Sequence, residues 1–436
     1  MIELIIDNSY STIKGLSIGQ HKELRSVLSY YTAPPNSYMA KQYGVKKVSL
    51  LSKHGVFPTG LLLNVTQYVT DLNLFPVIKD LRIAPINRLQ TINGNIGVTP
   101  YPEQVNAVKA CIRQNRGIVS AVTGFGKSVT MMLLVNTFKL RTLIVVPNLE
   151  LKRQLTSSFE ACFPDMSNIT IENIDSKKLN KLTDYDCLII DEAHHVAAAT
   201  YRQLNKTAWK GIYHRYFFTA TPYRSIKEEQ MLFESIAGQV IYEVDHTTAV
   251  RKGYIVPLEA YYLDVPKTKV TGSNWSTVYQ ALVVNNEPRN ALIAQLLTTL
   301  KAEKKSTLCL VKEIKHGDKL SHACQIHFAN GQDEDSKDMI KFFSQGKLNS
   351  LIGTTGVLSE GVDTKPAEYI IIAGLGKAKN SFMQSCGRGF RNWPGKTSCK
   401  IIIFRDTSHR FSIDHFKNQL KFLRDEFGIE AERIEL

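Results

Sequence analysis

Residues 121–128 read Ala121-Val122-Thr123-Gly124-Phe125-Gly126-Lys127-Ser128. They follow the short run Gly117–Ala121 and open Ser128–Phe138, where Met131, Met132, Leu133, Leu134 and Val135 leave almost no polar face. A strand, a tight turn and a helix buried on nearly every side are expected in that order. Glycines let such a turn curl until successive N–H groups converge on an anion, and the positive end of the helix dipole adds to them. Thr123, Gly124, Phe125 and Gly126 would form this cradle. Lys127 would neutralise the β- and γ-phosphates of a nucleotide, and the Ser128 hydroxyl would ligate Mg²⁺. Ala121 stands where the strict pattern has Gly, which the looser form of the pattern allows.

Outward from this turn, β-branched runs alternate with helical periodicity. Strands are expected at Thr142–Val146, Asp186–Ile190 and Arg215–Thr219, then in a second series at Thr307–Val311, Ser350–Ile352, Tyr369–Ile372 and Cys399–Phe404. This pattern builds parallel sheets from βαβ units, so the fold class is α/β with two such units in tandem. Before residue 90 the runs are shorter, with an amphipathic stretch Leu61–Leu72, and a small separate α/β module is expected. The domains are placed at 1–90, 91–250 and 251–436, the last ending in a helical segment.

The chain has 436 residues, 43% apolar and 22% charged, which excludes a disordered chain, a peptide ligand or a lone binding module. Its formal charge is +14, divided as +5 over residues 1–95, +2 over 96–250 and +7 over 251–436. Such a balance favours a polyanionic partner. No stretch approaches the roughly 18 apolar residues of a membrane span, and MIELIIDNSY lacks the basic start of a secretion signal. A cytoplasmic protein is the expectation. The seven cysteines include no CxxC pair and read as reduced thiols.

Two further clusters carry chemistry. Asp191-Glu192-Ala193-His194 follows the apolar run Cys187–Ile190, so two carboxylates emerge at the C-terminal edge of a buried strand, where open α/β sheets bind ligands. Asp191 is placed to hold Mg²⁺, and Glu192 to orient and deprotonate an attacking water. His194 and His195 are expected to point apart and not to ligate a metal. In Gln384-Ser385-Cys386-Gly387-Arg388-Gly389-Phe390-Arg391 the two arginines, three apart, are expected on one helix face, from which both could reach a developing γ-phosphate charge.

Taken in order, these segments resemble the superfamily 2 helicases and translocases. Gln104 in Tyr101-Pro102-Glu103-Gln104 matches the glutamine that reads adenine, and Tyr101 replaces a common arginine, which shifts that recognition toward stacking. Val145-Val146-Pro147-Asn148 is similar to the first nucleic-acid-binding motif, and Thr219-Ala220-Thr221-Pro222 to the coupling motif. Gly353–Asp363, with Thr354, Thr355, Gly361 and Asp363, resembles the motif that touches nucleic acid and nucleotide. Gln384, Arg388 and Arg391 fill the final motif. The Asp-Glu-Ala-His-His run, Thr219–Arg224 and the junction Thr248–Pro257 look most like the UvsW-type phage branch-migration helicases.

The resemblance implies two tandem RecA-like parallel-sheet motor domains with a small N-terminal α/β accessory domain, ATP and Mg²⁺ as cofactors, and branched DNA (forks or junctions) as partner. Such motors grip the backbone alternately with two domains and act as monomers. An RNA helicase, or a translocase that displaces proteins without separating strands, would carry the same core motifs. The N-terminal module is expected either to select branched DNA or to brace the first motor domain. Glu303-Lys304-Lys305 and Glu313-Ile314-Lys315 have a nuclease-like spacing but lack a partner aspartate, and read as solvated charges.

Overall fold

The computed structural model describes residues 1–31, 46–86, 92, 94–223, 227–358, 364–374, 382 and 385–436. Two compact units divide the chain: Met1–Ala121 with Gly126–Val244, and Asp245–Leu436 with Val122–Phe125.

The first unit opens with β1 (Glu3–Ile6), β2 (Tyr10–Lys14), β3 (Ser29–Tyr31), β4 (Lys47–Ser49), β5 (Val56–Pro58) and β6 (Val77–Asp80). Four of these form a sheet of order β5-β2-β1-β6, and β3 pairs with β4. Helices Ile18–Val27 and Leu62–Asp71 contribute Leu24, Val65 and Val69 to a core with Leu4, Ile13 and Phe57. The second helix occupies the amphipathic stretch read at Leu61–Leu72.

This module is bolted to the larger sheet of the same unit. Ser9 Oγ donates to the Asn205 carbonyl at 2.7 Å, and Asn8 Nδ2 to that of Gly211 at 3.2 Å. Arg215, fully buried, reaches Asn205 Oδ1 (2.6 Å), the Ile212 carbonyl (2.9 Å) and Ser9 Oγ (3.2 Å). Arg116 donates to the carbonyls of Asn8 and Ile236. Gly60 lies so close to the chain at Glu234 and Ser235 that a Cβ would stand 2.1 Å from the Glu234 carbonyl oxygen.

The larger sheet comprises β7 (Arg116–Ala121), β8 (Thr142–Val146), β9 (Ile169–Asn173), β10 (Cys187–Ile190), β11 (His214–Thr219) and β12 (Val240–Val244). All pairings are parallel, in the order β12-β7-β11-β10-β8-β9. β8 and β10 are buried along their whole length, as expected of strands covered on both faces. Because every strand runs the same way, their C-terminal ends share one edge. The order brings the ends of β7 and β10 to either side of β11.

The second unit holds β13 (Leu258–Asp264), β14 (Thr307–Val311), β15 (Phe328–Ala329), β16 (Ser350–Thr354), β17 (Tyr369–Ile372), β18 (Cys399–Arg405) and β19 (Ala431–Arg433), in the order β15-β16-β14-β17-β18-β13-β19. These pairings are parallel throughout. Two parallel sheets in tandem are the RecA-like architecture the resemblance implied, with the small α/β module preceding them. Strands β9, β12, β13, β15 and β19 were not anticipated. Among the described residues no helix is long and apolar enough to cross a membrane.

Candidate nucleotide-binding and motor site

The turn after β7 has the backbone its sequence demands. Gly124 and Gly126 take φ of +89° and +90°, in the left-handed region that side chains with a Cβ rarely enter. The helix Lys127–Phe138 then begins, with eight of its twelve residues buried. Its first-turn N–H groups have no intrahelical acceptor and face the turn, which is the anion-binding end of a helix. Lys127 and Ser128 open that first turn. Gln104, 2% exposed, ties this turn to the helix Pro102–Arg113: its Nε2 donates to the Gly126 carbonyl at 3.2 Å, and its Oε1 accepts from Tyr101 N–H at 2.8 Å. Tyr101 itself stands at that helix's N-cap, with its side chain partly exposed.

Across β11, the end of β10 delivers Asp191 and Glu192. Asp191 is buried, and its Oδ1 accepts from Glu192 N–H at 2.9 Å. Glu192 adopts φ +46°, ψ +47°, a left-handed conformation that costs a non-glycine residue about 1–2 kcal/mol and is held by its surroundings. From that backbone its carboxylate reaches both partners: Oε1 lies 3.8 Å from Lys127 Nζ and Oε2 3.2 Å from His194 Nδ1. Burial alone would raise the Glu192 carboxyl. The charge of Lys127, the contact with His194 and the charges of His194 and His195 outweigh it and hold the group well below the usual carboxylate range. The site therefore presents an anionic carboxylate beside a phosphate-seeking ammonium.

Two expectations need correction here. The imidazoles of His194 and His195 do not point apart; a tight 3₁₀ turn over Ala193–His195 leaves their ring centroids 4.1 Å apart. His194 instead stands beside Glu192, its Nδ1 3.2 Å from Oε2. No cluster of metal-binding side chains occurs among the described residues. Arg388 and Arg391 do not share a helix face. The helical segment covers residues 385–387, Arg388 lies in the turn that follows and Arg391 in a bend. Past the helix end the chain packs closely against β18: a Cβ on Gly389 would stand 2.1 Å from Cys399 Sγ, so only glycine fits there.

The remaining motif residues line the two C-terminal sheet edges. Thr219 ends β11, fully buried, and its Oγ1 accepts from Thr221 N–H at 3.1 Å, which fixes the turn. Pro147 and Asn148 follow β8; Asn148 Oδ1 accepts from Leu151 N–H at 2.9 Å and so caps the helix Leu149–Cys162. Thr354 ends β16 with its Oγ1 accepting from Val357 N–H at 3.3 Å, and Thr355 N–H donates to the Val311 carbonyl at 2.8 Å. Gly361, Asp363 and Gln384 lie outside the described residues.

Comparison with known proteins adds the following. Residues 97–184 match the family "Type III restriction enzyme, res subunit", and residues 288–392 match "Helicase conserved C-terminal domain". The ATP-dependent DNA helicase uvsW of Enterobacteria phage T4 is 21% identical over 367 residues, covering 74% of this chain and 72% of that protein. The DNA 3'-5' translocase XPB2 of Sulfurisphaera tokodaii is 23% identical over 405 residues, covering 79% and 87%. Across the curated relatives the match spans from 44% to 87% of the relative's own length. A fragment designated an HsdR subunit of a type I restriction enzyme from Vibrio vulnificus shares the fold at TM-score 0.61, with 16% identity over 100% of this chain and 85% of that one.

Proposed function

We propose that this superfamily 2 helicase, whose sequence resembles the UvsW-type phage helicases, is an ATP-driven DNA translocase that unwinds or branch-migrates forks and junctions. One observation carries the reading. The phosphate-binding turn after β7 and the carboxylates after β10 meet on one sheet edge, with Lys127 3.8 Å from Glu192.

Each group has a role that follows from its chemistry. The left-handed turn at Gly124 and Gly126, with Thr123 and Phe125, offers N–H groups to the phosphates, and Lys127 supplies a charge to them. Asp191 and Ser128 fit Mg²⁺, because a buried carboxylate and a hydroxyl at a helix start are hard oxygen donors. When bound, the ion withdraws charge from the phosphate oxygens. Glu192, held anionic, orients the attacking water and accepts its proton. Arg388 and Arg391 supply positive charge to the γ-phosphoryl transition state. Tyr101 and Gln104 are assigned to adenine, and Gly361, Asp363 and Gln384 to nucleotide on their motif match alone.

Pro147, Asn148, Thr354 and Thr355 stand at strand ends, where neighbouring backbone N–H groups and the two threonine hydroxyls can grip phosphates without reading bases. Thr219 and Thr221 shape the turn assigned to coupling. The N-terminal module, +5 over residues 1–95 and fixed to the first unit, is assigned the choice of branched DNA. ATPase measured on matched single strands, linear duplexes, forks, four-way junctions and RNA duplexes checks the proposal. Strongest stimulation by branched DNA is expected; preference for RNA, or indifference to branching, contradicts it.

A further inference from the structure

We infer that His246 and Asn392 are positioning residues that clamp the loop bearing Arg388 and Arg391. This rests on the arginine assignment above and extends it to side chains outside the motif segments named above.

The loop is short of secondary structure of its own, so its shape must come from what holds it. Phe390, between the two arginines, is buried, and its ring meets those of His246 at 5.0 Å and Phe427 at 5.2 Å. His246 and Phe427 are themselves 5.2 Å apart, which closes a three-ring cluster of tilted and edge-on contacts. Burial pushes the His246 imidazole down, so at neutral pH it is an uncharged aromatic surface. The backbone is held at the same place: the Phe390 carbonyl accepts from Val256 N–H at 2.8 Å. One residue beyond Arg391, Asn392 Nδ2 donates to the carbonyls of Gly253 (2.9 Å) and Tyr254 (3.2 Å). On the other side, Thr364 Oγ1 donates to the Arg388 carbonyl at 3.3 Å.

His246 and the Gly253–Val256 acceptors and donor all belong to the segment that begins directly after β12, the last strand of the first unit. The stretch of chain that joins the two units is therefore the part that fixes the arginine loop. A guanidinium whose backbone drifts by about 1 Å loses much of its value to a transition state, while ground-state nucleotide binding changes little.

The test is DNA-stimulated ATPase of the full chain, with ATP affinity from a fluorescent nucleotide and thermal unfolding recorded alongside. Asn392 is exposed, so Asn392→Ala is expected to keep its unfolding temperature and nucleotide affinity while kcat falls about tenfold. His246→Ala is expected to lose kcat likewise, and His246→Phe, which keeps the ring contacts, to retain it. Wild-type kcat in both Asn392→Ala and His246→Ala, beside a loss in Arg391→Ala, overturns the clamp alone. Wild-type kcat in Arg388→Ala and Arg391→Ala as well overturns the arginine assignment and the clamp together. A His246→Phe variant as slow as His246→Ala also contradicts the aromatic role.

Discussion

The Lys127 ammonium stands 3.8 Å from the Glu192 carboxylate, each delivered by a different strand of one parallel sheet. That pairing joins the group proposed to bind phosphate to the group proposed to activate water, and the two roles should separate cleanly by mutation. Glu192→Gln removes the proton acceptor and leaves the phosphate cradle. ATP binding is expected to persist while turnover falls by about 10²–10⁴-fold. Comparable losses of affinity and turnover would remove Glu192 from the role of base.

The proposed role of Arg388 and Arg391 is to act on charge that develops only in the transition state. Alanine at either position is expected to retain nucleotide binding and to lose turnover by as much as about 10³–10⁵-fold, equivalent to about 4–7 kcal/mol. Single-turnover hydrolysis measured with bound nucleotide separates the two effects. A variant that binds weakly but hydrolyses at the normal rate once saturated would assign the arginine to ground-state binding instead.

Arg215 carries the attachment of the N-terminal module. Removing its guanidinium strands Asn205 Oδ1 and the Ile212 carbonyl in a buried site and frees Ser9. Arg215→Ala is expected to cost about 3 kcal/mol. It should also split the unfolding of the first unit into two transitions by calorimetry. A single transition at the wild-type temperature would show that the module is held by other contacts.

His316 makes the second unit sensitive to acid. Burial, and then the charges of Arg289 and Lys319, push its imidazole down to about 3. Asn290 Nδ2 donates to the Val284 carbonyl, which aims Asn290 Oδ1 at His316 Nε2 at 3.0 Å and so places the neutral ring's proton on Nε2. Nδ1 is buried without an acceptor, so a second proton has no partner there. The unfolded chain takes that proton near pH 6.5 and the folded chain only near pH 3. The stability contributed by the neutral ring is thus fully present above pH 6.5 and is lost as pH falls toward 3, with a slope of up to about 1.4 kcal/mol per pH unit. Urea unfolding between pH 7 and pH 4.5 should show a shallower dependence in His316→Gln; identical slopes would exclude His316 as the source.

The central strands and the phosphate turn were legible because each carries a local cause. β8, β10, β14 and β17 are near-continuous apolar runs, and Gly124 and Gly126 announce a left-handed turn before a uniformly apolar helix. Edge strands had no such mark. β19 is Ala431-Glu432-Arg433, largely exposed and held to β13 by its backbone pairing and by Arg433 Nε donating to Asp264 Oδ2 at 2.8 Å, so nothing in its composition distinguishes it from a loop. Spacing alone suggests that the two arginines share one helix face, whereas the helical segment stops at 387 and the chain packs Gly389 against Cys399 between them. The docking of the N-terminal module left one unread signal: an arginine, Arg215, directly before the aromatic run Tyr216–Phe218 of β11 must find buried acceptors. Sequence distance hid which acceptors these are.

Strand exchange on a synthetic four-way junction, followed by gel or fluorescence with and without ATP, tests the central claim most directly. Conversion of the junction to two duplexes is predicted with wild-type protein and ATP, and none with Lys127→Ala. Robust DNA-stimulated hydrolysis with the junction left intact, or equal conversion by Lys127→Ala, would contradict an ATP-driven branch-remodelling motor.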